Sequence, residues 1–287
     1  MLDIRHREVI LGGLRMHYVE SGPEDGTPVI LLHGFPEFWY GWRHQIPALS
    51  AAGYRVIAPD QRGYNLSDKP SKAADYDLDI LAGDINALTD ELGMERFHLV
   101  GHDWGAAVAW WLALRFPECL RTLSILNVPH PWVISRHLRR DPRQLLRSWY
   151  IFFFQIPWLP EFLLGSGDGA GLANLLRRSG LPETFTPEDI AVYREAWRQP
   201  GALKGMISWY RALLRRARPP LPTGRIELPV QILWGRQDVA LQVEMAEESL
   251  AYCKDGRLEV FPDATHWVQH DEAEAVNQRL VEFLGAN

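Results

Sequence analysis

The sequence lacks several features that would place it in a specialised class of proteins. Only two of its 287 residues are cysteines, Cys119 and Cys253, and they are far apart in the chain. This spacing gives neither a disulfide framework nor a paired metal site, and it fits a protein of a reducing compartment. The formal net charge of −6 leaves no basic excess, so we expect no nucleic acid partner.

Long apolar segments are also missing. The longest apolar runs fall short of the ~20 residues that a membrane span needs. The first seven residues, MLDIRHR, carry charges where a signal peptide would have an apolar core. We therefore predict a soluble, cytoplasmic protein without a membrane span. A monomer and a homodimer both remain open.

The composition favours a globular domain with a substantial core. Hydrophobic residues make up 47% of the chain, which contains 12 Trp and 9 Tyr residues. Aromatic residues in such number favour a cavity with aromatic walls, although core packing explains part of the excess.

Apolar, strand-like runs alternate with helix-length stretches over two parts of the chain, 1–131 and 223–287. This alternation predicts an α/β core with a mostly parallel sheet flanked by helices. Residues 132–222 show no such alternation and have Gly-rich and Pro-rich breaks at 165–171 and 219–222. We predict that they form a helical cap inserted into the core.

One stretch organises the expected chemistry, Gly-His-Asp-Trp-Gly at 101–105. A short apolar strand at 97–100 precedes it, and a helix-forming stretch at 106–114 follows it. Asp103 is therefore expected at a sharp strand-to-helix turn, where the flanking glycines allow the backbone to bend. This is the position of the nucleophile in a nucleophile elbow, where serine is usual. A carboxylate there attacks carbon without help from a base and forms an ester, which water must then hydrolyse.

The same pattern has a simpler interpretation. An Asp at the start of a helix is often an N-cap that accepts hydrogen bonds from the amides of the first turn. The motif alone does not separate the two roles, so the rest of the chain must decide between them.

Two further residues follow strands that end at the same edge of the predicted sheet. Asp238 follows the run 228–235, and His266 follows the run 257–261. Open α/β sheets bind ligands at this edge, and the chain order nucleophile, acid, histidine is that of a catalytic triad. We expect His266 to deprotonate the water that opens the ester, and Asp238 to orient and stabilise the ring. Any one of ten histidines is more often a packing or surface residue, so this assignment depends on the combination. Asn127, at the end of another strand, is not a carboxylate that would compete with Asp238.

The ester carbonyl also needs N–H donors for its developing negative charge. We expect the backbone N–H groups of Trp104 and Phe35 to form this oxyanion hole, the latter within the HGFP stretch at 33–36. His-Gly before a proline can be only a turn, so this motif supports the assignment without establishing it. We interpret His33 and His102 as structural or pocket-lining residues rather than as bases.

With these residues considered together, the chain resembles the epoxide-hydrolase branch of the α/β-hydrolase superfamily over nearly its whole length. The resemblance depends on HGFPE at 33–37, APDQRGY at 58–64, GHDWG at 101–105, LWG at 233–235 continuing to Asp238, and THW at 265–267. It implies the α/β-hydrolase fold, hydrolysis of a small hydrophobic epoxide by water to a vicinal diol, and no metal or organic cofactor.

In such enzymes two tyrosines of the cap hydrogen-bond the epoxide oxygen and protonate it as the ring opens. The resemblance assigns this role to Tyr150 and Tyr210, which both fall in the predicted cap. The physical argument agrees, because attack on an epoxide expels an alkoxide, a poor leaving group unless a phenol donates a proton to it. Ordinary amphipathic packing is the alternative explanation for both tyrosines.

Four residues are expected to contact the substrate. They are Trp104, Pro36, Phe154 and Trp267.

Dehalogenases related to these enzymes use the same Asp-His-Asp triad and are the main alternative. A halide leaves without a proton and prefers N–H donors, such as the indole of Trp104. Haloalkane dehalogenases, however, usually carry Asn at the position of Phe35. Haloacetate dehalogenases carry arginines after the nucleophile, where this chain has Trp104 and Ala107. The tyrosine pair therefore favours the epoxide.

Two other functions complete the comparison. A non-catalytic ligand receptor built on a hydrolase fold remains open, since fold alone does not establish function. A serine esterase is disfavoured, because no serine occupies the elbow.

Overall fold

The computed structural model describes residues 3–215 and 225–287, and these form one eight-stranded sheet with helices on both faces. The strands are β1 (Arg5–Leu11), β2 (Leu14–Ser21), β3 (Pro28–Leu32), β4 (Arg55–Pro59), β5 (Phe97–His102), β6 (Leu120–Leu126), β7 (Ile226–Gly235) and β8 (Cys253–Phe261). Their order across the sheet is β1-β2-β4-β3-β5-β6-β7-β8.

Across the sheet, each strand in the series β4-β3-β5-β6-β7-β8 is parallel to its neighbour. Strand β2 pairs antiparallel with both β1 and β4. The mostly parallel sheet predicted from the sequence is therefore confirmed. The strands β3, β5, β6, β7 and β8 share one direction, so the loops that follow them meet at one edge of the sheet.

The central strands are buried on both faces, which explains their uninterrupted apolar sequences. In β3, Ile30 and Leu32 pack into the hydrophobic cluster on one face, and Val29 and Leu31 pack into the cluster on the other. All four side chains are fully buried. This alternation is the two-residue period of a strand.

Helices cover the sheet and connect its strands. Those found in the described residues are α1 (Gln45–Ala51), α2 (Leu78–Glu91), α3 (Trp104–Arg115), α4 (Pro131–Arg140), α5 (Pro142–Arg147), α6 (Trp149–Phe153), α7 (Leu159–Ser179), α8 (Pro187–Trp197), α9 (Ala202–Arg215), α10 (Glu244–Leu250), α11 (Val268–Asp271) and α12 (Ala273–Gly285). Three short 3-10 helices add Trp39–Trp42, Ala73–Tyr76 and Pro117–Cys119. None of these described helices is long and apolar enough to cross a membrane.

In the described part of the chain between β6 and β7, residues 127–215 and 225, there are six helices, α4 to α9. The predicted cap, 132–222, corresponds to this helical stretch at its start, where α4 begins at Pro131. Its predicted end at residue 222, and the Pro-rich break at 219–222, lie outside the described residues. The Gly-rich break predicted at 165–171 corresponds to a kink in α7, where residues 166–169 have non-helical backbone angles.

Candidate active site

Asp103 lies at the turn between β5 and α3, with φ 49° and ψ −123°. A non-glycine residue in such a conformation costs about 1–3 kcal/mol and is typical of a constrained functional position. The turn is too tight for side chains on the flanking glycines, because a Cβ on Gly105 would overlap the Leu32 carbonyl and one on Gly101 would lie 2.6 Å from the Gly105 carbonyl oxygen. The Asp103 side chain makes no capping hydrogen bond to the described first turn of α3. The N-cap interpretation is therefore wrong.

His266 connects the carboxylate at this turn to a second one. Its Nδ1 lies 2.7 Å from Oδ2 of Asp238, and its Nε2 lies 3.5 Å from Oδ2 of Asp103. The loops after β5, β7 and β8 thus bring the three residues of the predicted triad together in the order that the sequence suggested.

The carboxylate of Asp238 is saturated with hydrogen-bond donors. Its Oδ1 accepts the backbone N–H groups of Ala240 and Leu241 at 2.7 and 2.9 Å, and its Oδ2 accepts Nδ2 of Asn127 at 2.8 Å in addition to the ring of His266. Burial alone would raise the pKa of Asp238, but the His266 charge and these donors lower it below its ordinary value. Asp238 therefore stays ionised and fixed in orientation, which holds the imidazole in one position.

Asn127 has a part in the site that the sequence analysis missed. Its Oδ1 accepts the backbone N–H of Gly235 at 2.9 Å while its Nδ2 donates to Asp238. It has a positive φ of 49°, a conformation that Asn tolerates better than most residues. An amide serves here because it both accepts and donates, which an ionised carboxylate does not.

The charge of His266 depends on its two carboxylate neighbours. Burial would lower the pKa of its ring, but the negative charges of Asp238 and Asp103 and the hydrogen bonds to them outweigh burial and raise the pKa to about 10. The ring is thus an imidazolium at neutral pH for as long as both carboxylates are ionised.

The loop at 33–36 lies directly against Asp103. The backbone N–H of Phe35 donates to Oδ1 of Asp103 at 2.7 Å. A Cβ on Gly34 would overlap Cβ of Asp103 and lie 2.5 Å from its Oδ1, so only glycine allows this approach. The N–H of Trp104 belongs to the first turn of α3, where amides have no partner within the helix. Both predicted oxyanion-hole residues therefore adjoin the carboxylate.

A cavity of about 540 Å³ opens in front of Asp103. Its walls combine residues from the sheet side, among them Trp104, Ala107, Trp111 and Val128, with residues of α4, α5, α6 and α9. Apart from Asp103, two serines and two tyrosines, every side chain that lines it is apolar or tryptophan. Such a cavity suits a hydrophobic small molecule.

Tyr150 of α6 and Tyr210 of α9 both line this cavity, together with Asp103. Their ring centroids are 5.8 Å apart and the rings are nearly perpendicular, at 84°. Burial, and after it the charge of Asp103, raises the pKa of both phenols well above the ordinary value. Both therefore keep their protons and face the cavity as hydrogen-bond donors.

The four residues expected to contact the substrate occupy different places. Trp104 lines the cavity, with its ring 5.1 Å from that of Tyr210. Phe154 lies behind Tyr210, with ring centroids 4.6 Å apart, and does not line the cavity. Trp267 packs against the ring of His266, and the carbonyl of Pro36 accepts a hydrogen bond from a cap tryptophan. Neither of these two lines the cavity.

A buried carboxylate, Glu37, forms a second polar cluster behind the triad. It accepts hydrogen bonds from the hydroxyl of Tyr193 and from Nε2 of His270, the latter at 2.8 Å. Burial would raise the pKa of Glu37, but His270 and His102 bring it well below its ordinary value. His102 in turn hydrogen-bonds the carbonyl of His266 at 2.8 Å. The cluster thus supports the loop that carries His266. This arrangement agrees with a structural role for His102.

His33 is also fully enclosed. Its Nε2 accepts the backbone N–H of Gln61 at 3.1 Å, and its own carbonyl accepts the side-chain amide of the same residue at 2.6 Å. Burial lowers the pKa of its ring. His33 therefore holds the loop at 33–36 in place, as the structural interpretation expected.

Helix α5 contacts the loop that carries the acid, residues 238–242, here called the acid loop. The buried side chain of Gln144 donates to the carbonyl of Ala240 at 2.8 Å and accepts the N–H of Gln242 at 3.2 Å. Arg147 donates to the carbonyl of Asp238 at 3.1 Å. Sequence reasoning gave no signal for these contacts, because they depend on how α5 packs on the core.

The described part of the chain contains no candidate metal site. No group of three or more His, Cys, Asp or Glu side chains is arranged there to hold a metal ion. Cys119 and Cys253 are both free thiols.

The chain is similar to known proteins over nearly its whole length. The family model described as alpha/beta hydrolase fold matches residues 27–273. The AB hydrolase superfamily protein YfhM of Bacillus subtilis is 45% identical over 284 residues, which cover 99% of each chain. Epoxide hydrolase 4 of Homo sapiens is 41% identical over 280 residues, which cover 95% of this chain and 76% of that protein.

A solved structure is similar over almost the full length. A mutant epoxide hydrolase from Bacillus megaterium, in complex with its product, a naphthyloxy-propane-1,2-diol, superposes with a TM-score of 0.90 at 33% identity. The match covers 97% of this chain and all of that one.

Proposed function

The chain belongs to the α/β-hydrolase family and is a hydrolase of its epoxide-hydrolase branch, and on that premise we propose that it opens a hydrophobic epoxide through a covalent ester on Asp103. The observation that carries the proposal is a single cavity in which a carboxylate at the elbow faces two phenols. This pairing supplies both a nucleophile for carbon and a proton for the departing oxygen.

In the first step Oδ2 of Asp103 attacks an epoxide carbon and the bond from that carbon to the epoxide oxygen breaks. Oδ1 is held by the N–H of Phe35, which leaves Oδ2 as the attacking atom. Tyr150 or Tyr210 gives its proton to the departing oxygen, so that a hydroxyl forms rather than an alkoxide. The products of this step are a hydroxyalkyl ester of Asp103 and one tyrosinate.

Formation of the ester converts His266 from an acid into a base. While Asp103 is ionised, its charge helps to hold the proton on the imidazole. Because the ester is neutral, the pKa of His266 falls. The ring then gives up its proton, and the tyrosinate becomes tyrosine again. The neutral ring, held by Asp238, is then able to deprotonate water.

In the second step the hydroxide adds to the ester carbonyl, whose developing charge lies at Oδ1 beside the N–H groups of Phe35 and Trp104. Collapse releases the diol with the former Oδ2 as one of its oxygens; that oxygen takes the second proton of the added water, and the water oxygen remains on Asp103. The imidazolium and the carboxylate of the resting enzyme are both restored. Epoxide and water are consumed, one diol is formed, and the proposal calls for no cofactor.

The substrate class follows from the cavity walls and from the relatives. The walls are apolar except at the reacting groups, and the Bacillus megaterium enzyme was solved with an aryl ether diol as product. We propose a hydrophobic or aryl-bearing epoxide. In the same proposal, residues 1–131 and 223–287 form the core domain and residues 132–222 form the cap that supplies the phenols.

A labelling experiment tests the covalent step. In a single turnover in water enriched in heavy oxygen, we expect the label in the peptide that carries Asp103 and not in the first diol released. Label that appears at once in the diol and never in that peptide would refute the ester. His266→Gln should accumulate the ester, seen as a mass gain equal to the epoxide, while Asp103→Ala should show neither turnover nor mass gain.

A paired assay separates the epoxide from carbon–halogen bonds. Diol formation from styrene oxide is compared with halide release from a haloalkane and from haloacetate. Faster halide release would replace the proposed reaction by dehalogenation through the same triad.

A further inference from the structure

Large apolar side chains are exposed on α5, α6 and α7 and on the loop between α6 and α7. Six large side chains in one continuous stretch of chain are between 48% and 74% exposed, and we call them the aromatic face: Leu146, Trp149, Phe152, Trp158, Phe162 and Leu163. Large apolar side chains exposed in this number over so short a stretch of chain indicate an interaction surface.

The aromatic face adjoins the opening of the cavity. Phe152 belongs to both, since it lines the cavity and is 53% exposed. Leu145 and Leu214 also line the cavity while remaining 42% and 55% exposed. A partner that covers the aromatic face would therefore lie at the entrance used by the substrate.

Arginines lie in the helices that lead into this stretch, although the chain as a whole is acidic. Residues 132–158 contain five arginines and a single acidic residue, Asp141, against a formal charge of −6 for the whole chain. Arg136 pairs with Glu248 and Arg143 pairs with Asp141. The remaining three, Arg139, Arg140 and Arg147, have no ion pair among the described residues. Helices α4 and α5, which contact each other and include Leu146 at the start of the aromatic face, therefore carry unneutralised positive charge.

We propose that the aromatic face docks on the surface of an anionic lipid bilayer, with the cavity opening toward the lipid. Trp and Phe side chains enter the interfacial region of a membrane, and adjacent arginines attract acidic headgroups. A hydrophobic epoxide partitions into lipid, so the entrance would face the phase where the substrate is concentrated. The docking is peripheral and requires no membrane span.

Charge disfavours a second copy of the chain as the occupant. In a two-fold contact the same face meets itself, so the arginines of one copy would lie close to those of the other. An anionic surface neutralises them instead. The orientation of the cavity toward the lipid rests on the proposed function, whereas the binding itself is tested without substrate.

Flotation of the full chain with vesicles tests the proposal without any substrate. We expect binding to vesicles of phosphatidylcholine with about 30% phosphatidylglycerol, and weaker binding to phosphatidylcholine alone. Trp149→Ser combined with Trp158→Ser should weaken binding at least tenfold. Neither tryptophan lines the cavity, so turnover of a small water-soluble epoxide should be unchanged. Ile10→Ser, at a 62% exposed position on β1, is the matched control and should bind like the wild type.

An arginine pair tests the electrostatic part. Arg139→Gln with Arg140→Gln should lower the affinity for the acidic vesicles roughly 25-fold, about fivefold for each arginine, and should not change binding to neutral ones. Arg177→Gln with Arg178→Gln removes two exposed arginines from the end of α7 and serves as control.

Three outcomes would overturn the proposal. The wild type fails to float with acidic vesicles, or the tryptophan variant floats as well as the wild type. The third outcome combines two results: the wild type does not bind vesicles, and sedimentation shows that the wild type is a dimer whereas the tryptophan variant is a monomer. The aromatic face would then be the contact between two copies of the chain.

Discussion

Replacing Asp103 by asparagine gives His266 the neighbour that it has in the proposed ester, a neutral group of nearly the same shape. We expect the pKa of His266 to fall from about 10 to roughly 7, because the ring loses one of the two charges that stabilise its protonated form. The change reproduces the proposed conversion from acid to base without any substrate.

The size of the effect follows from the geometry. Nε2 of His266 and Oδ2 of Asp103 are 3.5 Å apart, and two unit charges at that distance interact with roughly 5 kcal/mol at an effective dielectric constant of about 20. One pKa unit corresponds to about 1.4 kcal/mol, which gives a fall of up to about three and a half units. Asp238 still raises the pKa of the ring, so the value should not fall below that of an ordinary histidine.

Proton NMR titration of the histidine ring signals between pH 5 and pH 11 measures this directly, with the His266 signal identified by its loss in His266→Gln. The signal of His98, whose pKa burial lowers to about 4, serves as an internal reference that should not move. Asp255→Asn, at an exposed position on β8, removes the same charge far from the ring and should leave His266 unchanged. Intact mass checks that the new amide has not hydrolysed. A shift of less than half a unit would refute the conversion.

Three further predictions concern the groups around the nucleophile. Tyr150→Phe combined with Tyr210→Phe should slow epoxide opening by about 10²–10⁴-fold while sparing halide release from a haloalkane in stopped-flow assays; equal losses would remove the preference for epoxides. Gly34→Ala should lower kcat/KM at least ~100-fold, because the added Cβ displaces the nucleophile, whereas Gly83→Ala, with open space around its Cβ, should keep full activity and gain about 0.5–1 kcal/mol in unfolding free energy. Gln144→Ala should slow ester hydrolysis more than ester formation in pre-steady-state measurements, because it frees the acid loop; an equal effect on both steps would contradict its positioning role.

The sequence predicted the fold because the strands in this sheet are buried on both faces. In a chain where such runs alternate with helices, a continuous apolar run such as 28–32 indicates a central strand of a parallel sheet. The spatial grouping of the three triad candidates was predictable for the same reason. Asp103, Asp238 and His266 each follow such a run, and parallel strands that share a direction end at one edge.

Residues next to the site were harder to place. Phe154 is one helical turn from Tyr150 but packs behind the other tyrosine, and Trp267 is adjacent to His266 but points into the core. Sequence neighbours in loops and short helices diverge in direction, and pattern alone does not give that direction.

Contacts between the inserted helices and the core were not predictable. Gln144 reaches the acid loop, and Tyr193 reaches Glu37, across long separations in the chain. Neither Gln144 nor Tyr193 belongs to a motif, and each of these contacts depends on how its helix packs against the core.

The groups that would hydrolyse the ester, Asp103, Asp238, His266 and the N–H of Phe35, all come from loops of the sheet, whereas both phenols come from helices between β6 and β7. The two halves of the cycle therefore reside in separate stretches of the gene. Recombination that exchanged only the intervening stretch could change which leaving group departs, while the machinery that regenerates the enzyme passed on intact. Diversification of such a lineage is expected to concentrate in that one segment.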